Sequence, residues 1–472
     1  MFGTMARYLQ TPAALGSNVT VSAAKLCDSS KSGFYTRNLS TVSCPKSYLR
    51  STFLSQRRHT LLQRTRTWSG GTNGVRTGLA TASYDFHPSR GSVNAAQRPY
   101  TAVMIVPTGT GATIGGFAGD SLPVARAMAS VADCLITHPN VLNGAMLYWP
   151  MPNALYVEGY ALDKFAEGSW GLQPVHQNRV GLVLDAGMEE EMRARHLQVA
   201  DAACATLGLP LLEYTITDMP LQVEKWVDSS GASTGRLGRP DSLMRAVTNL
   251  VENGGVDAVA VVARFPDDSC EDLVDYRQGK GVDVLAGVEA IISHMVVKEF
   301  QIPCAHAPAL ALLPFDESIS PRSAAEEIGF TFLPCVLVGL SRAPQYISKV
   351  DSRSGGNSGA LWGSDVDCVV VPINACGGAG TLAFAKNTRR KPLILAVEEN
   401  ETVLDDTPEK LHLDAVRVAN YWEALGVMAA HKAGVDPQAL RRNGVGHLRR
   451  SPTSLTTRNV IPISTLESLY QN

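Results

Sequence analysis

Short apolar runs alternate with helix-like stretches through most of the chain, and this alternation limits the fold to the α/β class. The runs have the length of buried strands and lie at residues 100–106, 179–185, 256–264, 302–308, 366–372 and 392–397. Helical spacing of apolar residues follows two of them, at 122–135 and 188–207. The order predicts an α/β fold with mostly parallel sheet and flanking helices, in a Rossmann-like three-layer architecture.

The N-terminal part of the chain has a different composition from this body. Residues 1–100 carry 13 Lys or Arg and 2 acids, whereas the rest of the chain carries 29 and 42. An acid-poor, Ser- and Arg-rich start without an apolar core predicts a disordered, cleaved transit peptide over residues 1–95. We expect import into the plastid stroma, with the mitochondrion as the less favoured alternative. A basic arm that binds nucleic acid or membrane is the competing interpretation, but no aromatic residues interleave with the basic ones.

The body divides most naturally near Pro240, because residues 228–236 are its most polar and turn-rich stretch. This gives a first α/β lobe at 96–240, a second at 241–440 that can share one sheet with the first, and a basic, poorly ordered tail at 441–472. Residues 350–360 read as a surface loop. No later segment has about twenty uninterrupted apolar residues, so we expect a soluble body without a membrane span.

A glycine-rich turn directly follows the first predicted strand and precedes a helix. Its candidate ligand-binding residues are Thr108, Gly109, Thr110, Gly111, Thr113, Gly115 and Gly116. Free N–H groups at such a turn favour a phosphate or carboxylate. Neither the dinucleotide-binding nor the Walker A spacing is present, so the turn indicates an anion site without naming a nucleotide. A glycine turn needed only for close packing is the alternative.

Polar clusters follow the other predicted strands. Arg264, Asp267 and Asp268 fit a carboxylate or metal site, or equally a helix cap. His306 is a candidate general base, with a structural histidine as the alternative. Asp120, at the end of the glycine turn, is a further candidate for moving protons.

The region around Cys376 is a second candidate site. A thiol ahead of a helix N-terminus is expected to have a lowered pKa, which favours a nucleophile or proton carrier. Gly377, Gly378, Gly380 and Thr381 suggest another anion cradle, and Glu399 belongs to an acidic run that is either an acid/base site or a helix cap. The body's seven cysteines are widely spaced without a C-x-x-C pair, so neither a disulfide framework nor a zinc site is indicated.

Three of these segments resemble a known family. Residues 106–120, 136–144 and 300–309 are similar to a domain of unknown function found in cyanobacteria and plant plastids, and the likeness extends from about Val103 to Gly434. The resemblance favours the plastid, because the bacterial relatives lack a leader. It implies no catalytic residues.

Two hypotheses about function follow. The first is an enzyme that binds a small anionic metabolite at the glycine turn and moves protons with Asp120, His306 or Cys376. Its variant is a racemase in which Cys304 and Cys376 face each other. The second is a non-catalytic ligand-sensing or assembly protein. No cofactor or metal is assigned, no nucleic-acid partner is expected, and an assembly of identical copies is left open.

Overall fold

Parallel strands predominate in the computed structural model, which describes residues 98–117, 119–268, 273–329, 332–349, 359–387 and 390–448. The first sheet has six strands in the order β14-β13-β12-β1-β2-β3, and each neighbouring pair is parallel. Its strands are β1 (Thr101–Met104), β2 (Cys134–Thr137), β3 (Ala154–Tyr156), β12 (Val366–Pro372), β13 (Leu393–Val397) and β14 (Val416–Val418). From β1 the chain adds β2 and β3 on one side of the sheet and later adds β12, β13 and β14 on the other side. The glycine turn follows β1 and therefore lies at the point where the strand order reverses.

The second sheet is also parallel and is built from the middle of the chain. Its order is β10-β9-β5-β6, from β5 (Val180–Leu184), β6 (Leu211–Ile216), β9 (Ala258–Arg264) and β10 (Cys304–Ala309). Two antiparallel pairs complete the strands: β4 (Trp170–Gln173) with β11 (Gln345–Ser348), and β7 (Val223–Val227) with β8 (Ser233–Leu237).

Helices connect the parallel strands. They are α1 (Leu122–Val131), α2 (Pro139–Tyr148), α3 (Gly159–Ala166), α4 (Glu190–Leu207), α5 (Pro240–Glu252), α6 (Val274–Arg277), α7 (Ala286–Phe300), α8 (Pro321–Glu327), α9 (Leu333–Ser341), α10 (Ala379–Lys386) and α11 (Tyr421–Lys432), with 3₁₀ turns at Gly363–Asp365 and Pro437–Leu440. No helix in the described segments is both long and apolar enough to cross a membrane.

The core consists of two apolar clusters that take alternate residues of the strands. Met104 and Leu182 belong to one cluster, and their neighbours Val103 and Val183 belong to the other, because successive strand side chains point to opposite faces. All four side chains are fully buried. Both faces of each sheet are therefore covered at its central strands, which explains why those strands read as continuous apolar runs rather than as alternating ones.

The predicted fold class is confirmed, but the sheets divide the chain differently from the predicted lobes. Strands from residues 101–156 and 366–418 share the first sheet, and the second sheet comes from the segment between them. Pro240 lies inside that segment, at the start of α5. The division at Pro240 therefore does not separate one sheet from the other. The predicted transit peptide, most of the loop at 350–360 and the end of the tail lie outside the described residues.

Candidate functional site

Polar side chains from neighbouring strand ends hold the glycine turn in place. Asn400, just beyond β13, accepts a hydrogen bond from the Ile114 amide at 3.0 Å and donates one to the Ile114 carbonyl at 2.8 Å. His138, just beyond β2, accepts from the Val106 amide at 3.1 Å. Burial lowers the pKa of His138 to about 4, so the ring is neutral at pH 7 and can act as an acceptor. These residues build the turn rather than face a ligand.

Asp120 holds the far end of the turn. One carboxylate oxygen accepts from the Gly115 amide at 2.5 Å, and the other accepts from Nε of Arg322 at 2.8 Å. Burial raises the pKa of Asp120, and Arg322 opposes that effect. The Arg322 guanidinium also lies 4.5 Å from the centre of the Phe117 ring. Because both oxygens of Asp120 are engaged, its geometry is that of a clamp between the turn and α8; a catalytic role for it stays a prediction.

The tip of the glycine turn, at Gly109, packs against Ser233 and Gly287 and leaves no room for a side chain there. The Gly109 carbonyl accepts from the Ser233 amide at 2.7 Å, and a Cβ on Gly109 would lie 2.3 Å from the Ser233 Oγ. A Cβ on Gly287, at the start of α7, would lie 2.0 Å from the Ser233 carbonyl oxygen. Gly109 and Gly111 also have positive φ angles of 71° and 60°. Close packing therefore requires glycine here, and an anion site at the same turn stays a prediction.

The same tip carries unused hydrogen-bond donors. The five amides from Thr108 to Ala112 donate to no partner among the described residues, whereas those of Thr113, Ile114 and Gly115 are all paired. Consecutive free N–H groups attract an anion. Within the predicted set, the amides without a partner among the described residues are those of Thr108, Gly109, Thr110 and Gly111. Gly116 serves packing, since a Cβ there would lie 2.3 Å from the Ala112 carbonyl oxygen.

A buried acid and His306 lie just beyond this tip. Glu289, in the first turn of α7, has its Oε2 3.7 Å from Nε2 of His306 on β10, and the two side chains are 15% and 18% exposed. Burial raises the pKa of Glu289 well above its ordinary value, with nearby Asp283 and Glu326 adding to the effect. Burial lowers the pKa of His306 to about 3. Burial thus favours the protonated carboxyl at Glu289 and the neutral imidazole at His306, and both side chains are mostly shielded from solvent.

Further polar groups surround Glu289. Asp283 accepts from the Leu285 amide at 2.9 Å, and burial raises its pKa to about 6. Lys225, which is almost fully buried, forms an ion pair with Asp268 and lowers the pKa of Asp283. Asp268, which was predicted to bind a ligand, thus neutralises the charge of the buried Lys225 close to Asp283. No group of three or more His, Cys, Asp or Glu side chains in the described part of the chain is arranged to hold a metal ion.

Arg264 and Asp267 form an internal ion-pair network. The Arg264 guanidinium donates to both oxygens of Glu189, to both oxygens of Asp267 and to the Phe265 carbonyl. Its pKa is raised by Asp267 first and by Glu189. All its hydrogen-bonding directions are taken by the protein, so a ligand carboxylate would have to displace Asp267 or Glu189. This network holds the C-terminal end of β9, at Arg264, in place.

The pKa expected for Cys376 was wrong. The side chain is fully buried, its Sγ lies 3.7 Å from the Pro372 carbonyl and 3.6 Å from that of Ile373, and burial raises the pKa to about 12. Cys304 is also buried, near Glu158, and its pKa is raised well above the ordinary value. Desolvation outweighs the helix dipole at Cys376. Neither thiol is poised as the racemase variant requires.

The helix after Cys376 is capped by the protein itself. The Gly380 amide donates to Oδ1 of Asp163 at 2.8 Å, which fills the expected anion cradle with a protein carboxylate. Gly377 is a packing position, because a Cβ there would lie 2.3 Å from Oδ2 of Asp406, and Thr381 is buried. Gly378 is the N-cap residue of α10. Glu399 accepts from the Tyr421 amide at 2.7 Å, so it caps α11, as the alternative interpretation held.

The structure thus brings together the turn at 108–112, His306 and Asp268, and places Cys376, the glycines after it and Glu399 in structural roles. Sequence reasoning missed Glu289, Asp283 and Arg322. A signal for Glu289 exists in the sequence, because α7 is otherwise strongly apolar on the side of Val288 and Ile292. An acid within such a stretch is costly to bury and indicates a specific role. Asp283 and Arg322 reach the site from loop and helix starts that periodicity does not place.

The comparisons with known proteins come from sequence alone. The model of a family described as Protein of unknown function (DUF3326) matches residues 101–441. The chain is similar to a Synechococcus sp. protein described as an uncharacterized lipoprotein, with 58% identity over 344 residues, which are 73% of this chain and 94% of the relative. No solved structure matches the chain.

Proposed function

The chain belongs to the family described as Protein of unknown function (DUF3326), and from its own site we propose that it is an enzyme acting on a small anionic metabolite. The observation that carries the proposal is the row of five free amides from Thr108 to Ala112, next to a helix start that holds the Glu289–His306 pair. Free amides at a switch point of a parallel sheet bind phosphate or carboxylate groups. A titratable pair with shifted pKa values supplies proton transfer.

Electrostatics are consistent with an anionic ligand at this place. The raised pKa of Glu289 favours its neutral carboxyl, which lessens the repulsion of a phosphate or carboxylate. Lys225 pairs with Asp268 and lowers the pKa of Asp283, and Arg322 is one-third exposed beside the turn. The positive charges of Lys225 and Arg322 thus offset part of the negative charge of the nearby acids, and the amides of the turn supply hydrogen-bond donors for the bound group.

In the proposed mechanism the amides of residues 108–112 hold the anionic group, and Glu289 acts as a general acid. Burial raises the pKa of the Glu289 carboxyl, which favours the protonated form that a general acid needs. After Glu289 has given its proton to the bound compound, a proton from water restores the acid; the His306 ring, 3.7 Å from the carboxylate, stays neutral because burial lowers its pKa to about 3. Asp120 and Arg322 position the turn, and Cys376 takes no part.

A thermal-shift screen of the full chain against phosphorylated metabolites, organic acids and nucleotides tests the proposal. A ligand at a hundredfold excess over its dissociation constant adds about 2.7 kcal/mol of stability, which raises the melting temperature measurably. Hydrogen exchange should then show protection at residues 108–112 and 281–289. Turnover of the same compound should fall about 100-fold or more in Glu289→Gln, which keeps the neutral shape but removes the acid.

Exposed Glu252→Gln is the matched control and should leave turnover unchanged. Protection at another surface would exclude the glycine turn as the ligand site. A ligand protected at the turn but never converted would favour the ligand-sensing function over the enzyme. Absence of any hit across the panel would leave the anionic class without support and favour an assembly function.

We also propose the plastid stroma as the location, with residues 1–95 as a transit peptide. The family match begins at residue 101, and the matched relative is cyanobacterial, as expected for a plastid protein of bacterial origin. The relative is described as a lipoprotein, which offers membrane attachment as the competing location. The strongly basic N-terminal hundred residues favour import over a lipid anchor.

A further inference from the structure

The outer edge of the second sheet combines an unpaired strand with exposed apolar side chains. β6 pairs with β5 on one side, and no strand in the described part of the chain pairs with its other side. Leu212, Tyr214 and Ile216 are 45%, 54% and 41% exposed and share one face of β6. Edge strands of monomeric proteins are usually protected by charges or bulges, because open backbone groups invite pairing.

The exposed stripe continues a face that is core elsewhere in the sheet. Tyr214 is in register with Leu182 and Ile216 with Leu184, and both of these β5 residues are fully buried. The elements that bury this face of the sheet therefore cover β5 but not β6, whose side chains remain exposed. An added strand would extend both the backbone ladder and the apolar face.

Backbone direction decides which residues an added strand would meet. The Thr217 amide donates to the Leu184 carbonyl at 2.9 Å, so the backbone groups of Thr217 face β5. Because this direction alternates along a strand, the N–H and C=O groups of Tyr214 and Ile216 face outward, whereas the register with β5 shifts at Leu212. Tyr214 and Ile216 thus combine exposed side chains with outward backbone groups.

These features make β6 complementary to itself. When two copies pair antiparallel about Tyr214, Tyr214 exchanges both hydrogen bonds with its own counterpart, and Leu212 lies opposite Ile216. Glu213 then lies opposite Thr215. If the pairing were centred on Glu213 instead, the Glu213 side chains of the two copies would lie opposite each other, which like-charge repulsion disfavours. Pro210 and Pro220 flank the strand and end the pairing on both sides, so two copies close the edge without extending into a fibre.

We propose that two copies of this chain associate through antiparallel pairing of β6 about Tyr214, which joins the two four-stranded sheets into one of eight strands. Sedimentation velocity of the full chain over a concentration series measures the association. We expect dimerisation that strengthens with concentration, and weakening by at least about tenfold in Tyr214→Lys, which places two ammonium groups opposite each other. The control Trp422→Lys, at an exposed tryptophan of α11, should leave the association unchanged.

Crosslinking tests the register separately. Residues opposite each other in a hydrogen-bonded pair have Cα atoms about 5.5 Å apart, within the range of a disulfide. Tyr214→Cys should therefore give a disulfide between the two copies on oxidation, located by mass spectrometry, and Thr215→Cys should not. The proposal is overturned by a wild type that stays monomeric up to about 100 µM, by a dimer that Tyr214→Lys leaves intact, or by crosslinking at position 215 instead of 214.

Discussion

At the scale of single residues, Glu289 is the group whose state decides the chemistry. Its carboxyl lies in the first turn of α7, 3.7 Å from a histidine whose own pKa is lowered by burial. Burial disfavours the charged form of both groups, which raises the pKa of the acid and lowers that of the imidazole. A carboxyl whose pKa is raised on folding leaves a signature in folding stability that is independent of any ligand.

The stability of Glu289→Gln should reveal that proton. The folded state of the wild type binds a proton that the unfolded state releases above its ordinary pKa of 4.5. Wild-type stability therefore falls as pH rises from about 4.5 toward the raised pKa, with a limiting slope of about 1.4 kcal/mol per pH unit for one proton. The variant lacks this loss.

Chemical denaturation of both proteins at about pH 5 and at about pH 8 measures the difference between their free energies of unfolding. We expect similar stabilities at the acid end and a more stable variant at the basic end. Glu252→Gln, on the exposed end of α5, should run parallel to the wild type. A stability difference between Glu289→Gln and the wild type that stays constant with pH would show that Glu289 is ionised in the folded protein, and the general-acid role would have to be withdrawn.

At the scale of elements, the glycine turn depends on the strand ends around it. Asn400 is fully buried and makes three hydrogen bonds: to the Ile114 amide, to the Ile114 carbonyl and to the Tyr421 hydroxyl at 2.7 Å. It therefore joins the loop after β1 to the loop after β13 and to the start of α11. Its removal would leave both backbone groups of Ile114 without partners.

Asn400→Ala should destabilise the protein by about 2–4 kcal/mol, because each unsatisfied buried group costs about 1–3 kcal/mol. Hydrogen exchange at residues 108–116 should accelerate more than exchange in β9, which lies in the other sheet. Asn253→Ala, at an exposed position after α5, serves as the control and should change stability by less than about 0.5 kcal/mol. Equal acceleration across both sheets would mean that Asn400 supports the whole fold rather than the turn.

Sequence reasoning reached the strands and the turn but not the partners of the site residues. Buried parallel strands leave continuous apolar runs, so β1, β5, β9, β12 and β13 were visible. The carboxylate that pairs with a given arginine is determined by contacts between segments that are distant in the sequence. Arg264 meets Glu189 across 75 residues, and Asp120 meets Arg322 across 202. The same limit applies to Cys376, whose burial depends on packing that the local motif does not encode.

At the scale of the whole molecule, the chain joins a basic N-terminal segment to an acidic remainder. The first hundred residues have a net charge of +11 and the remaining ones −13. The family match covers residues 101–441 and so follows the acidic part. The two parts therefore differ both in composition and in whether the family model matches them.

Residues 1–95 fused to a fluorescent protein should accumulate in the plastid, because basic, hydroxyl-rich and acid-poor segments are recognised for import. Replacing Arg57, Arg58, Arg64 and Arg66 by Glu should reduce import several-fold, since it reverses the charge of the densest basic stretch. A fusion to residues 441–472, which are also basic, is the control and should stay in the cytosol. Fractionation of isolated plastids after import of the full chain then separates stroma from membrane: the stromal location requires the soluble fraction. Recovery with the membranes would favour the anchored state named for the relative, and fluorescence in mitochondria would assign the leader to the other organelle.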